Sequence, residues 1–245
     1  MTEVHKAGSC RTIKASCSDC SLSSLCLPLA VQAEDLDRLD EIIKQGQRVE
    51  KGQHLFRSGD EFKAIYAVRT GAIKTYSITP SGEEQINGFY LPGEIMGMDG
   101  INTNHHVNSA KALESTTVCE VPFNRLEELT KVLPGLQRHF FQMMSKEIRE
   151  EQQLIMLLAK KNAEERIASL LLSISTRNGR RRLSTTAFRL PMTRVEIGNY
   201  LGLAVETVSR VLTRFQKQGI LAVESKEVRI NDYQKLCQIA TIQEG

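Results

Sequence analysis

Met192-Thr193-Arg194-Val195-Glu196-Ile197-Gly198-Asn199-Tyr200-Leu201-Gly202-Leu203-Ala204-Val205-Glu206-Thr207-Val208-Ser209-Arg210-Val211-Leu212-Thr213-Arg214-Phe215 spells out two short helices and the turn between them. Thr193-Arg194-Val195-Glu196 has the S/T-x-x-E form of a capping box. In it the Thr193 hydroxyl accepts from the Glu196 amide, and the Glu196 carboxylate accepts from the Thr193 amide. Met192 and Ile197 stand where a hydrophobic staple would be. The helix runs through Tyr200-Leu201 and stops at Gly202, which enters the left-handed region without a Cβ clash. A second helix follows Leu203 and Ala204, although Ala204 offers no side-chain cap. Its Val205, Val208, Leu212 and Phe215 turn toward the first helix. Glu206, Ser209, Arg210 and Thr213 are left facing out, with Thr207 beside them.

Two helices joined by a glycine turn make a helix-turn-helix. The outward side chains suit base edges in a major groove: Arg pairs bidentately with guanine, Glu accepts from cytosine, and Ser adapts to either. An ordinary αα-hairpin can be charged, but it does not need this cap, turn and outward set together. The stretch is therefore read as DNA-binding, with Glu206, Thr207, Ser209, Arg210 and Thr213 as contact candidates. Gly219 to Ile230 reads as a hairpin with strand residues Val223, Val228 and Ile230, which makes the motif winged.

Charge agrees with this reading. The net charge of +3 divides into −4 over Met1 to Ala159 and +7 over Lys160 to Gly245. A basic C-terminal part on an acidic body is the pattern of a nucleic-acid-binding domain. Upstream of the motif, Gly179-Arg180-Arg181-Arg182 reads as a basic loop. Ala163 to Ser175 reads as a helix burying Ile167, Leu170, Leu171 and Ile174, and Lys160-Lys161-Asn162 as a hinge.

Pro134 and Gly135 break the chain, and Leu136 to Lys160 then reads as one long helix. Phe141, Met144, Ile148, Glu151, Ile155 and Leu158 alternate steps of three and four, the seam of a helix that pairs with its own copy. A helix buried within one chain is the other possibility, but this one is long and otherwise rich in charge. Met144, Ile148, Glu151, Ile155 and Leu158 are the dimerisation candidates.

From Gly46 to Phe123 short apolar stretches, such as His54-Leu55-Phe56 and Ile65-Tyr66-Ala67-Val68, alternate with glycine turns. This is the pattern of an antiparallel barrel, roll or sandwich. Glu34 to Ile43 precedes it as a short amphipathic helix. Nearer the N-terminus, Cys17-x2-Cys20-x5-Cys26 places three thiols where one soft metal centre could take them. Cys119 is a candidate fourth ligand. Strand alternation puts it on the face of Val121, so from this stretch alone it reads as a core cysteine. Spacing does not separate zinc from iron–sulfur.

The 245 residues are 41% hydrophobic and 25% charged, an ordinary balance for a soluble chain of about two domains. No apolar run is long enough to span a membrane, and Met1 to Lys6 lacks the apolar core of a signal peptide. The expectation is a cytoplasmic protein, where cysteines serve metal or redox chemistry rather than disulfides. No nucleophile–base motif points to an enzyme.

Cysteine arm, β-domain, long helix and winged helix-turn-helix stand in the order of the CRP/FNR regulators. The chain resembles the FNR/ANR branch over nearly its whole length. The stretches that carry the resemblance are Cys17 to Pro28, Gly82-Glu83-Glu84-Gln85-Ile86, Val118-Cys119-Glu120-Val121-Pro122-Phe123, Lys160 to Arg166, Ile197 to Leu203 and Val205 to Arg210. The fold expected is α+β: an antiparallel β-roll like those that bind cyclic nucleotides, a long dimerisation helix and a C-terminal winged helix-turn-helix. The units expected are a cluster-binding arm over 1–28, a sensor roll over 29–134, the dimerisation helix over 135–160 and the DNA-binding domain over 161–245.

The resemblance implies an oxygen-sensing regulator of anaerobic genes holding a 4Fe-4S cluster on Cys17, Cys20, Cys26 and Cys119. It implies that Glu206, Ser209 and Arg210 read a half-site like TTGAT within an inverted repeat, and that the partners are DNA, a second copy of the chain and RNA polymerase. Cys10 and Cys237 receive no role. The other branch of the family binds cyclic AMP through a Glu and an Arg. Here Met98 and Asn108 take those positions, and Asn108 cannot replace an Arg fork on phosphate. A cyclic-nucleotide-responsive regulator without a cluster is the alternative.

Overall fold

A computed structural model describes residues 16–240 of the chain. Two 3-10 turns, Ser23–Leu25 and Leu27–Ala30, follow the cysteine spacing, and a third at Ala33–Asp35 leads into α1 (Leu36–Ile42). Eight strands come next: β1 (Lys44–Val49), β2 (His54–Phe56), β3 (Ala64–Thr70), β4 (Ile73–Ile78), β5 (Glu84–Tyr90), β6 (Ile95–Met96), β7 (Ser109–Ala112) and β8 (Thr116–Pro122). They form two antiparallel four-stranded sheets ordered β1-β8-β3-β6 and β2-β7-β4-β5. Between the sheets lie Phe56, Val68, Ile73, Met96, Ala110 and Val118. Gly71 turns β3 into β4 at φ +79, where an added Cβ would collide with Thr116 Oγ1. Only glycine suits that turn.

The outer face of the first sheet carries Ile65, Ala67 and Val121 against Leu27, α1, and two further helices, α2 (Phe123–Val132) and α3 (Pro134–Lys160). The short α2 has no legible signal in the sequence, since it lacks a side-chain cap and buries only Leu126 and Leu129. Pro134 opens α3 rather than preceding it. Its missing N–H is no loss at a first helical position.

The C-terminal unit comprises α4 (Ala163–Arg180), β9 (Ala187–Arg189), α5 (Arg194–Leu201), α6 (Val205–Lys217), β10 (Leu221–Glu224), β11 (Glu227–Ile230) and α7 (Tyr233–Ile239). The expected basic loop is corrected. Gly179 and Arg180 belong to α4, and Arg181 folds back so that its amide bonds to the Asn178 carbonyl. The wing gains a third strand, in the order β10-β11-β9. Lys160–Asn162 does divide two helices. Asn162 caps α4 in a full capping box with Glu165. Arg166 donates to the carbonyls of Leu158, Lys161 and Leu201, which stitches α3 and α5 to α4.

The roll and the C-terminal unit share an apolar core. Tyr76, Ile86, Phe89 and Leu91 pack with Leu171, Ile197, Leu201, Val208 and Phe215. Asn199 bonds to the β5 backbone in both senses, from its Nδ2 to the Glu84 carbonyl and from the Ile86 amide to its Oδ1, each at 2.6 Å. Arg177 is bound to Glu94, and Lys74 lies 3.4 Å from Glu196.

Candidate functional site

The helix-turn-helix folds as its local signals dictate. The Thr193 hydroxyl accepts from the Glu196 amide at 3.2 Å, and Glu196 accepts from the Thr193 amide at 2.8 Å. Gly202 ends α5 at φ 63, and Leu203 N–H closes on the Gly198 carbonyl at 2.8 Å. Gly198 is as necessary as Gly202, because a Cβ there would stand 2.5 Å from the Leu203 carbonyl oxygen. Its helical φ gives no sequence signal of that. On α6, Val208, Val211, Leu212 and Phe215 are buried, and Val205 is half-buried. Each buried side chain of this size contributes about 1.5–3 kcal/mol.

The opposite face of α6 leaves Glu206, Arg210 and Thr213 exposed and Thr207 and Ser209 half-buried. These side chains are already positioned. Arg210 donates to the Thr207 hydroxyl and Arg194 to the Ser209 hydroxyl, both at 3.2 Å, and the Thr213 hydroxyl donates to the Ser209 carbonyl at 2.9 Å.

Along α3, Phe141, Ile148, Glu151 and Ile155 are exposed, as an unpaired seam would be. Met144 is half-buried against the core beneath β8, and Leu158 is half-buried at the helix end. Met156, outside the heptad pattern, is exposed as well. Tyr90 donates to Glu147 at 2.6 Å and ties α3 to β5.

The four thiols come from two distant segments and lie near one another. In β8, Thr116 and Val118 are buried toward the second sheet, while Cys119 and Val121 face the core beneath α1 and α3. Strand alternation is therefore as expected, and Cys26 packs on that same core. Cys17 and Cys20 lie within electrostatic reach of this pair. Asp40 holds the loop, accepting from the Cys17 amide at 2.8 Å and from the Ser16 hydroxyl. Burial pushes the thiols of Cys17 and Cys119 up and that of Cys26 to about 12. Alone they would stay protonated; a bound metal centre would reverse this and release protons.

Among the described residues no group of three His, Cys, Asp or Glu side chains closes around the position of a single metal ion. Cys17, Cys20, Cys26 and Cys119 together are an all-thiol donor set, chemistry that either zinc or an iron–sulfur cluster takes. Cys237 lies apart, packed on the C-terminal core, and Cys10 falls outside the described residues.

At the position aligned with the cyclic-nucleotide pocket, a carboxylate closes the loop. Asp99 Oδ2 accepts from the amides of Val107 at 3.0 Å and Asn108 at 2.8 Å. Its Oδ1 meets His106 Nδ1 at 3.1 Å, and His106 stacks on Phe56. A fixed negative charge there repels a phosphate. Burial raises the carboxyl of Asp99, but the bonds from His106 and the two amides outweigh it and leave it below its ordinary value. A folded-state value below the unfolded one means stability that is present above the ordinary carboxylate range, roughly pH 4, and is lost as pH falls through the lowered value. Asp99→Asn should cost on the order of 1–2 kcal/mol at neutral pH and flatten the acid limb of the stability curve, as measured by urea unfolding.

Comparison with known proteins agrees with the architecture. Residues 165–239 match the Crp-like helix-turn-helix domain, and residues 46–132 match the cyclic nucleotide-binding domain. The chain is 55% identical to the transcriptional activator protein FnrA of Stutzerimonas stutzeri over 93% of each protein. It is 49% identical to the fumarate and nitrate reduction regulatory protein of Escherichia coli over 91% of this chain and 90% of that one. Among solved structures, FixK2 from Bradyrhizobium japonicum superposes with a TM-score of 0.76 at 29% identity, covering 83% of this chain and all of the other. No helix among the described residues is long and apolar enough to cross a membrane. With its cyclic-nucleotide-type roll, long helix and winged reader, the chain belongs to the Crp/FNR family of DNA-binding, dimerising transcription regulators and is not an enzyme.

Proposed function

We propose that this protein is a cytoplasmic, oxygen-responsive regulator of anaerobic genes, active as a homodimer when Cys17, Cys20, Cys26 and Cys119 hold a 4Fe-4S cluster. The observation that supports this most is the shared core. Cys26 and Cys119 pack on the same apolar cluster as Leu136, Phe140, Met143 and Met144 at the start of α3. The thiol loop and the pairing helix therefore lean on one another. The cluster, when bound, supplies iron–thiolate bonds that persist without oxygen and are lost on oxidation.

The chain's own residues do the rest. Leu27 and the turn Leu27–Ala30 press on α3, where a Cβ on Gly135 would stand 2.9 Å from the Ala30 carbonyl oxygen. A held thiol loop fixes that contact and orients the seam residues Met144, Ile148, Glu151, Ile155 and Leu158 toward a second copy. Arg166 then couples the end of α3 to α5. Pairing of α3 thus sets two α6 helices at the spacing of successive major grooves on an inverted repeat of TTGAT-type half-sites. Glu206, Thr207, Ser209, Arg210 and Thr213 make the contacts, and the bound dimer engages RNA polymerase. In this reading the units are 1–28 for the cluster arm, 29–134 for the sensor roll, 135–160 for pairing and 161–245 for DNA.

The test is anaerobic purification with an absorption spectrum and iron and sulfide analysis. The protein should be brown and bleach in air. Serine at Cys17, Cys20, Cys26 or Cys119 should each abolish the colour, and serine at Cys10 or Cys237 should not. A colourless anaerobic preparation with stoichiometric zinc would overturn the proposal.

A further inference from the structure

Two stretches far apart in the chain, Gly82 to Ile86 and Ile197 to Leu203, meet at the rim of the second sheet. β5 is the last strand of that sheet, so one row of its peptide groups has no partner strand. Asn199 of α5 stands in for one. Its side-chain amide donates to the Glu84 carbonyl and accepts from the Ile86 amide, both at 2.6 Å, as a peptide group of a neighbouring strand would. Glu196 lies one turn earlier on the same face of α5, 3.4 Å from Lys74, which also bonds to Glu84 at 2.9 Å. Tyr200 completes the face, its ring centre 5.0 Å from that of Phe89.

The same strand holds the pairing helix, because Tyr90 of β5 donates to Glu147 of α3 at 2.6 Å. β5 is therefore a strap from α3 to α5, separate from the covalent link through Lys161 and Asn162. Arg177 of α4 also donates to the Phe89 carbonyl, so a strap cut at Asn199 loosens the reader without releasing it. In a dimer paired along α3, each α6 is placed relative to the two-fold axis by its own strap. One base pair added between half-sites moves a half-site about 3.4 Å along the duplex and about 35° around it. A reader clamped at both ends cannot follow that displacement, and a loosened one can.

We propose that Asn199 is a positioning residue that determines specificity: together with Lys74 and Tyr90 it fixes the spacing between half-sites that the dimer accepts, while α6 reads their bases. This rests on α3 as the pairing helix and α6 as the reader, and not on what the thiols hold.

The test starts from full-length protein prepared without oxygen, which selects its paired half-sites from randomised DNA. The selected site is then rebuilt with the spacer one base pair longer and one shorter. The parent should favour its own spacing strongly, and Asn199→Ala should cut that discrimination about tenfold, the loss of paired hydrogen bonds at one clamp. Base preference within each half-site should stay that of the parent. Lys74→Met and Tyr90→Phe should relax spacing in the same way. Asn199→Ala combined with Tyr90→Phe should relax it no further than either alone, because a strap cut at one end is already slack. Tyr90→Phe keeps its ring in place and decides the matter if Asn199→Ala fails to fold. A parent with no preferred spacing, variants that keep the parent's preference, or variants that weaken binding to every spacing alike would each overturn the inference. Spacing selected by a parent that holds no cluster would overturn the proposed oxygen response and support the strap.

Discussion

Glu151→Ala should strengthen pairing of two α3 helices roughly a hundredfold and produce a DNA-binding dimer in air. Glu151 is exposed on the protomer, between the exposed Ile148 and Ile155 of the same stripe. In a parallel two-fold dimer a residue at this seam position faces its own copy. Two carboxylates about 5 Å apart at an effective dielectric near 20 repel by on the order of 3 kcal/mol. That is close to what one well-packed apolar pair contributes, so the seam is poised rather than firm. Pairing then depends on the contacts that a held thiol loop adds at the start of α3. Ile148→Ala should act in the opposite direction and weaken the dimer even with the cluster present. Sedimentation of cluster-free Glu151→Ala is decisive. If that protein is as monomeric as the cluster-free parent, carboxylate repulsion does not link the thiol loop to DNA.

Arg210→Ala should cost about 1–3 kcal/mol on the cognate site and relax selection for guanine, the loss expected for one bidentate base contact. The side chain is exposed and braced by the Thr207 hydroxyl, so the truncation removes a ready contact without disturbing the buried face of α6. Exposed Arg180 and Arg182 provide the contrast. If they touch phosphate, alanine there weakens binding to every sequence and flattens the salt dependence. Binding measured against a panel of half-sites at several salt concentrations separates the two behaviours. Base preference unchanged in Arg210→Ala would mean that α6 is not the reading helix as oriented here.

Local interactions were legible in the chain because they are written at short spacing. Thr193 and Glu196 form their capping box, Gly202 takes its left-handed turn, and α6 buries Val208, Leu212 and Phe215 as the helical period requires. Turn glycines and apolar alternation likewise marked the roll. The face of Cys119 followed from strand alternation alone, since successive side chains must point to opposite sides. Elements without local signals were missed. The uncapped α2 and the three-residue β9 are held by what they pack against, and α4 runs past its apolar stripe to Arg180 because its last turn is supported from outside.

What spacing cannot state is which surfaces meet. Gly82 to Ile86 and Ile197 to Leu203 were separate stretches in the chain, yet Asn199 of one fills the backbone donors and acceptors of the other. Whether Cys119 belonged to the core or to the thiol group was open in sequence. The fold places it on the core beneath β8, the surface on which Cys26 also packs. The charge run at Gly179 to Arg182 read as a basic loop, but packing takes Gly179 and Arg180 into α4 and leaves Arg181 half-buried with its guanidinium held by Asn178. Capping and periodicity depend on neighbours three or four residues away, which the chain carries with it. Burial and electrostatic environment depend on sums over residues far apart in sequence, and only the packed tertiary structure fixes those sums.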